Sequence, residues 1–183
     1  MLTNLNHKGT VPLETDRLLL RALTQKDAEK VYKNWTSNTE VTRFLRWDAH
    51  TSVEVTKDWI KCCEESSKNA AFYDWGIILK ETCEPVGSIS AFIGEDPNRY
   101  EVGYVLAKKY WNKGIVSEAL KRVLEFLHIE VGIKNFYALH AVGNPASGAV
   151  MLHAGFKYVG EGIYKSFNGL KEFQSKVYFL DLE

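Results

Sequence analysis

Apolar and polar positions along the chain follow two rhythms, one near 3.6 residues that marks helices and one near 2 that marks strands. The clearest helical stretch puts Val116, Ala119, Leu120, Val123, Leu124 and Leu127 at i, i+3, i+4, i+7, i+8 and i+11. Glu118, Lys121, Arg122, Glu125 and His128 fill its other face, and Gly132 marks its end. Before it, Leu18 to Leu23 reads as a first strand. Thr24 then stands as an N-cap with Asp27 three residues on, which predicts a helix to about Ser37. A second helix is expected from Thr51 or Ser52, with Val55, Trp59 and Cys62 at helical spacing.

The period then shortens. Tyr73 to Leu79, Pro85 to Ile93 and Arg99 to Leu106 predict three consecutive antiparallel strands. Their connectors, Lys80 to Glu84 and Gly94 to Asn98, are rich in turn formers. After the long helix, Asn135 to Val142 is strand-like. Asn144-Pro145 opens another helix, with Asn144 as N-cap and Pro145 at the first helical position, and Gly155 closes it. Phe156 to Tyr164, a turn at Asn168-Gly169, and Phe173 to Leu182 form a closing hairpin. The order β-α-α-β-β-β-α-β-α-β-β predicts an α/β (α+β) fold with a mixed, mostly antiparallel sheet. Its one strand–helix–strand crossover, about 100 to 142, implies a locally parallel pair.

Composition narrows this picture without redirecting it. A chain of 183 residues suits one domain over 1–183, with a core from about 13 to 182. Lys plus Arg and Asp plus Glu both number 23, so no global field favours nucleic acid or an anionic membrane as partner. The longest apolar runs are too short to span a bilayer, and Met1 to Lys8 lacks the apolar core of a signal peptide. Cys62, Cys63 and Cys83 show no zinc-like spacing with histidine, so no metal is expected. A reduced, cytoplasmic protein fits best.

Chemistry concentrates at Lys113-Gly114-Ile115-Val116-Ser117, where a short loop after a strand meets a helix start. Unpaired N–H groups and the positive end of the dipole make such a start an anion site suited to a diphosphate. Lys113, with Lys108 or Lys109, adds positive charge. The spacing fits neither a Walker loop nor a dinucleotide-binding fingerprint, and alone it does not separate a ligand site from a plain loop–helix junction. No Ser-His-Asp or Cys-His arrangement stands out.

The segment Trp111-x-x-Gly114-x-Val116 resembles the coenzyme A signature of the GNAT acetyltransferases, and most closely their RimJ/RimL-like branch. The resemblance runs from about Leu13 to Leu182 through Glu14–Arg21, Pro85–Ile89, Tyr100–Leu106, Asn144–Ser147 and Ala154–Phe156. Val116 departs from the usual Gly or Ala, and a branched side chain there is expected to narrow the ligand's space. The resemblance implies a V-shaped opening between the strands at 100–106 and 135–142. Acetyl-CoA would enter there as co-substrate, gripped by Trp111, Asn112, Lys113, Gly114, Ile115, Val116 and Ser117. It gives main-chain groups of Val105 and Leu106, and Asn144, to the pantetheine arm. Glu101 becomes the general base. Where many relatives carry a tyrosine acid this chain has Met151, so Ser147, one turn earlier, becomes the proton donor to sulfur, with Tyr158 and Tyr164 in reserve. The implied acceptor is a primary amine, either a protein or peptide N-terminus or a small molecule. Trp35, Arg43, Phe44, Trp47 and Trp75 are candidates for its wall, though core packing suits each tryptophan better. His140 reads as structural, and Asp74, Asp96 and His153 as solvated. A homodimer and a non-catalytic acyl-CoA-binding module stay open as alternatives.

Overall fold

The computed structural model describes residues 5–94 and 96–183. Its strands are β1 (Leu13–Glu14), β2 (Leu18–Arg21), β3 (Phe72–Leu79), β4 (Glu84–Ile93), β5 (Tyr100–Leu106), β6 (Asn135–Ala141), β7 (Lys157–Lys165) and β8 (Glu172–Asp181). They form one sheet in the order β1-β2-β3-β4-β5-β6-β8-β7. The β5–β6 pair is parallel and the other neighbours are antiparallel. The expected mixed sheet and its parallel crossover are therefore present. The turn expected over 94–98 includes Glu95, which lies outside the described residues.

The helices are α1 (Ala28–Val31), α2 (Thr39–Thr42), α3 (Val53–Ser66), α4 (Ile115–Phe126) and α5 (Pro145–His153). All six apolar residues of the expected α4 stripe are buried, and Gly132 ends the helix in the left-handed conformation (φ 92°). Other expectations are corrected. The helix foreseen from Thr24 to Ser37 is a 3-10 turn (Gln25–Asp27), one turn of α1 and a π turn (Tyr32–Thr36). The wide turn is closed by Ser37, whose N–H and Oγ both donate to the Tyr32 carbonyl, at 3.2 and 2.7 Å. On α3, Val55 and Cys62 are exposed, whereas Thr56 and Ile60 are buried. The apolar spacing had indicated a face one residue out of phase. The short strand β1 and helix α2, the latter capped by Asn38 accepting from Glu40 and Val41 N–H, had no periodic signal to reveal them.

Residues paired across neighbouring strands share a face of the sheet. Asp74 pairs with Ser90, and Ser90 with Gly103. Phe92 pairs with Glu101, and Glu101 with Tyr137. These residues lie on the α1–α3 face, where Leu23 packs over Gly76 and Trp59 and Cys63 lie near Asp74. Trp75 and Tyr104 point the other way. Trp75 meets Phe126 of α4 edge-on at 5.9 Å, and Tyr104 reaches α5.

At Gly87 the β4 backbone comes so close to β5 that an added Cβ would stand 2.2 Å from the Val105 carbonyl oxygen and 3.1 Å from Leu106 Cα. Both obstacles are backbone, so neither can rotate away. Gly87→Ala is expected to cost about 1–3 kcal/mol. A thermal melt should show a fall of roughly 2–12 °C at the 2–4 °C per kcal/mol usual for this size.

Candidate active site

β5 and β6 pair only at Tyr100/Phe136 and Glu101/Tyr137. Beyond residue 101, β5 continues to Leu106 while β6 stays with β8. The split is the V-shaped opening expected between these strands, and a cavity of about 340 Å³ fills it. Ala107 N–H donates to Val86 O at 2.7 Å, and the Val105 carbonyl lies over Gly87. Main-chain groups alternate direction along a strand, so those of Val105 and Ala107 serve β4. Those of Tyr104 and Leu106 face the open side. The main-chain groups of Leu106 therefore face the split, whereas Val105 borders the cavity with its main chain turned to β4. Leu106 O also accepts from Trp111 Nε1 at 2.8 Å, so half-exposed Trp111 braces the end of β5.

Next comes the loop into α4. Trp111, Asn112, Lys113 and Gly114 are exposed. Asn112 (φ 59°) and Gly114 (φ 71°) are left-handed, which explains the glycine better than steric room does, because a Cβ at Gly114 would meet nothing closer than Arg17 at 3.7 Å. The first helical bond runs from Glu118 N–H to Gly114 O, so the N–H groups of Ile115, Val116 and Ser117 have no acceptor within the helix. Arg17 secures the loop from below, donating to Lys113 O at 3.0 Å and pairing with Glu118 at 2.6 Å. Val116 and Ile115 are buried in the core. The expectation that Val116 narrows the ligand's space is corrected, since its side chain points inward and leaves only its N–H at the surface turn. Lys113 and Lys109 are exposed over the Tyr110 ring, whereas Lys108 pairs with Glu40 at 2.6 Å.

α5 borders the cavity through Asn144, Ser147 and Met151. Asn144 occupies the N-cap position, but its side chain makes no bond to the helix N–H groups. That amide is left over for another partner at the cavity wall. Ser147 is not alone. The Tyr104 hydroxyl lies 2.9 Å from Ser147 Oγ and donates to Ser147 O at 2.8 Å. Burial pushes the Tyr104 phenol well above its usual range, so it holds its proton at neutral pH. The reserve tyrosines fare differently. Tyr158 is half-exposed and outside the cavity, while Tyr164 borders the cavity but gives its hydroxyl to Phe44 O at 2.7 Å.

Glu101 sits at the apex of the split and is 5% exposed. Its Oε1 accepts from Arg46 Nη2 at 3.0 Å and Nε at 3.3 Å. Its Oε2 accepts from the Tyr137 hydroxyl at 2.7 Å. Gly94 allows this packing, since a Cβ there would stand 2.2 Å from the Tyr137 oxygen. The carboxylate expected as the general base is therefore half of a buried ion pair.

On the acceptor side, Trp35 and Trp75 are fully buried core residues and Arg43 is exposed. Phe44 and Trp47 do line the cavity. Trp59, stacked obliquely on Trp47 at 6.1 Å, joins them unforeseen. His140 is buried, with Nδ1 2.8 Å from Ala141 O and Nε2 3.3 Å from the Tyr178 hydroxyl, a structural placement. His153 is exposed, as foreseen. Asp96 is half-buried, pairing with Arg99 at 3.7 Å. Asp74, read as solvated, is 7% exposed on the cavity wall. A carboxylate inside the apolar run of β3 was the available signal, because such groups are rarely buried without a task. Arg46, Trp59 and Tyr104 gave no comparable sign. Among the described residues, no cluster of three metal-ligating side chains occurs, and no helix is long and apolar enough to cross a membrane.

A sheet split between two parallel strands, beside a helix start with free N–H groups, is the arrangement that the resemblance to acyl-CoA-dependent acyltransferases implies. The chain belongs to the GNAT acetyltransferase family, whose domain matches residues 17–157. It is 30% identical over 156 residues to the uncharacterized N-acetyltransferase YoaA of Bacillus subtilis, covering 85% of this chain and 86% of that one. The structure is similar to a GNAT-family acetyltransferase from Bacillus anthracis, with TM-score 0.78, 26% identity, and coverage of 93% and 98%. It also has the fold of RimL, a ribosomal L7/L12 α-N-protein acetyltransferase solved with coenzyme A, with TM-score 0.82, 20% identity, and coverage of 94% and 98%. The protein is a GNAT N-acetyltransferase that takes its acetyl group from acetyl-CoA.

Proposed function

We propose that this chain acetylates a primary amine, in the first instance the α-amine of a protein or peptide N-terminus, by direct attack on the acetyl thioester. The observation that carries this reading is the split after residue 101, with polar groups on both sides of it. The thioester is already activated, so no covalent nucleophile is needed, and positioning supplies much of the rate. The amine lone pair forms the C–N bond, the C–S bond breaks, one proton leaves nitrogen, and one reaches the departing thiolate. The free N–H groups of Ile115 to Ser117, with Lys113, suit the diphosphate of the acetyl-CoA co-substrate, and Asn144 and the open edge of β5 suit its amide arm. Ser147 Oγ, held in place by the Tyr104 hydroxyl, donates a hydrogen bond to the departing sulfur, and water in the open cavity supplies the thiolate's proton. Glu101, held by Arg46 and Tyr137, positions the apex of the split; its engaged oxygens argue against the base role that the resemblance implies.

RimL acts on a protein α-amine, which supports the peptide reading for this chain. A compact small-molecule amine is the second reading, favoured by a cavity at the lower end of the ~300–1,000 Å³ usual for such sites. The test is competitive. Acetyl-CoA is incubated with an equimolar mixture of unblocked peptides, a polyamine and an arylalkylamine, and products are mapped by mass spectrometry. Acetyl groups on peptide N-terminal nitrogens are expected to dominate. Exclusive labelling of the small amines would replace the first reading with the second.

A further inference from the structure

We infer that the acceptor amine enters the arm of the cavity beneath α3 and surrenders its proton to Asp74. The inference rests on the acetyl-transfer reading above and supplies its missing base.

Three observations lead there. First, Asp74 borders the same cavity as Tyr104 and Ser147 but on the opposite face of the sheet. An amine in that arm and a thiol leaving toward α5 would sit on opposite sides of the split, so the entering and departing groups do not compete for the same space. Second, the route from Asp74 to β5 is short and polar. Asp74 pairs with Ser90, and Ser90 with Gly103, so two strand spacings, roughly 10 Å, separate Asp74 from β5. Gly103 has no side chain, and Ser90 Oγ leans over it, 3.4 Å from where a Cβ would stand. A nitrogen above Gly103 can pass its proton along Ser90 or one water. Third, Asp74 is the carboxylate without a counter-charge at this site. Glu101, two residues along β5, is neutralised by Arg46, whereas the Asp74 carboxylate accepts no hydrogen bond from the described residues. Trp59, Phe72 and Phe92 flank it with apolar surface.

The groups facing Asp74 leave it dependent on its surroundings. From α3 come Cys63, whose thiol is pushed up by burial and by Asp74, and Glu64 at the rim of the adjoining crevice. From β4 come Ser88 and Ser90, and from β5 the Glu101–Arg46 pair. No cation among the described residues pairs with it. Burial pushes its carboxyl up to about 7, close to the working pH that suits a general base. Because the folded-state value is raised above the unfolded one, stability is fullest below about pH 4 and is lost as pH rises through about 7. Asp74 thus weakens the fold where the enzyme works, which suits a functional group better than a structural one.

The experiment follows thiol release from acetyl-CoA with the unblocked-peptide and amine panel, for the wild-type chain and Asp74→Asn, from pH 5.5 to 9. The wild type is expected to lose kcat/KM below a limb near pH 7. Asp74→Asn is expected to lose about 10²-fold or more at neutral pH, together with that limb. Its midpoint of thermal unfolding should rise above that of the wild type at pH 8 and not at pH 4. Wild-type turnover with an unchanged rate and limb in Asp74→Asn would overturn the assignment alone. A wild-type chain that releases no thiol with any amine would overturn the acetyl-transfer reading as well. Should the variant fail to fold, a carbon-13 titration of the Asp74 carboxyl in the wild-type protein decides. Titration near 7 upholds the inference, and titration near the ordinary 4 overturns it.

Discussion

Replacing Tyr104 by phenylalanine and Ser147 by alanine together is expected to lower kcat by about 10²–10⁴-fold while acetyl-CoA still binds. The two hydroxyls are 2.9 Å apart, and both line the cavity. Met151, at the position where the resemblance implies an acid, has no proton to give. Burial raises the Tyr104 phenol, so it stays protonated and keeps its bond to Ser147 O while its oxygen holds the Ser147 hydroxyl. Two groups acting as a unit do not contribute additively. Ser147→Ala alone removes the donor to sulfur and should carry most of the loss. Tyr104→Phe alone should cost less, since it removes only the group that holds Ser147. Pre-steady-state acetyl transfer separates this effect from product release. An unchanged chemical step in the double variant would remove both residues from the mechanism.

The second large effect concerns stability. Arg46→Ala leaves the Glu101 carboxylate buried with, among the described residues, the Tyr137 hydroxyl for a partner. Breaking one side of a buried ion pair costs about 3–5 kcal/mol. For a chain of this size that corresponds to a fall of roughly 6–20 °C in the melting temperature. Arg46 also donates to Lys165 O at 3.2 Å and lies 5.1 Å over the Tyr164 ring, so the segment bearing Phe44 and Trp47 loses part of its hold on β7 and keeps the bond from the Tyr164 hydroxyl to Phe44 O. Replacing both partners by apolar residues, as in Arg46→Met with Glu101→Leu, should recover most of the stability. Equal melting curves for Arg46→Ala and wild type would show that the pair contributes nothing.

What could be read from the sequence was local. The α4 stripe, the β3–β5 hairpins and the loop from Trp111 to Ser117 each announce themselves within a dozen residues. The long-range pairings had no such signal. Arg46 and Glu101 are 55 positions apart, and Tyr104 and Ser147 are 43 apart. Arg46 reaches Glu101 from the loop after α2, and Tyr104 meets Ser147 through the turn that α5 makes after β6. Asp74 was misread because exposure depends on what covers a face, and the helix that covers it, α3, was assigned the wrong buried stripe. Val116 was misjudged for a similar reason: the motif gives its position, but only the direction of the helix decides that its side chain faces the core. The π turn at Tyr32–Thr36 and the two-residue β1 depend on single hydrogen bonds and tertiary pairing, which periodicity does not encode.

The central claim is that acetyl-CoA lies in the split between β5 and β6 with its diphosphate on the start of α4. A crystal structure with bound coenzyme A tests it most directly. The diphosphate is expected within hydrogen-bonding distance of the N–H groups of residues 114–117. The amide arm should run along Tyr104–Leu106 and Asn144, and the sulfur should lie beside Ser147 and Tyr104. A diphosphate held elsewhere, or a thiol ending away from the split, would contradict the account.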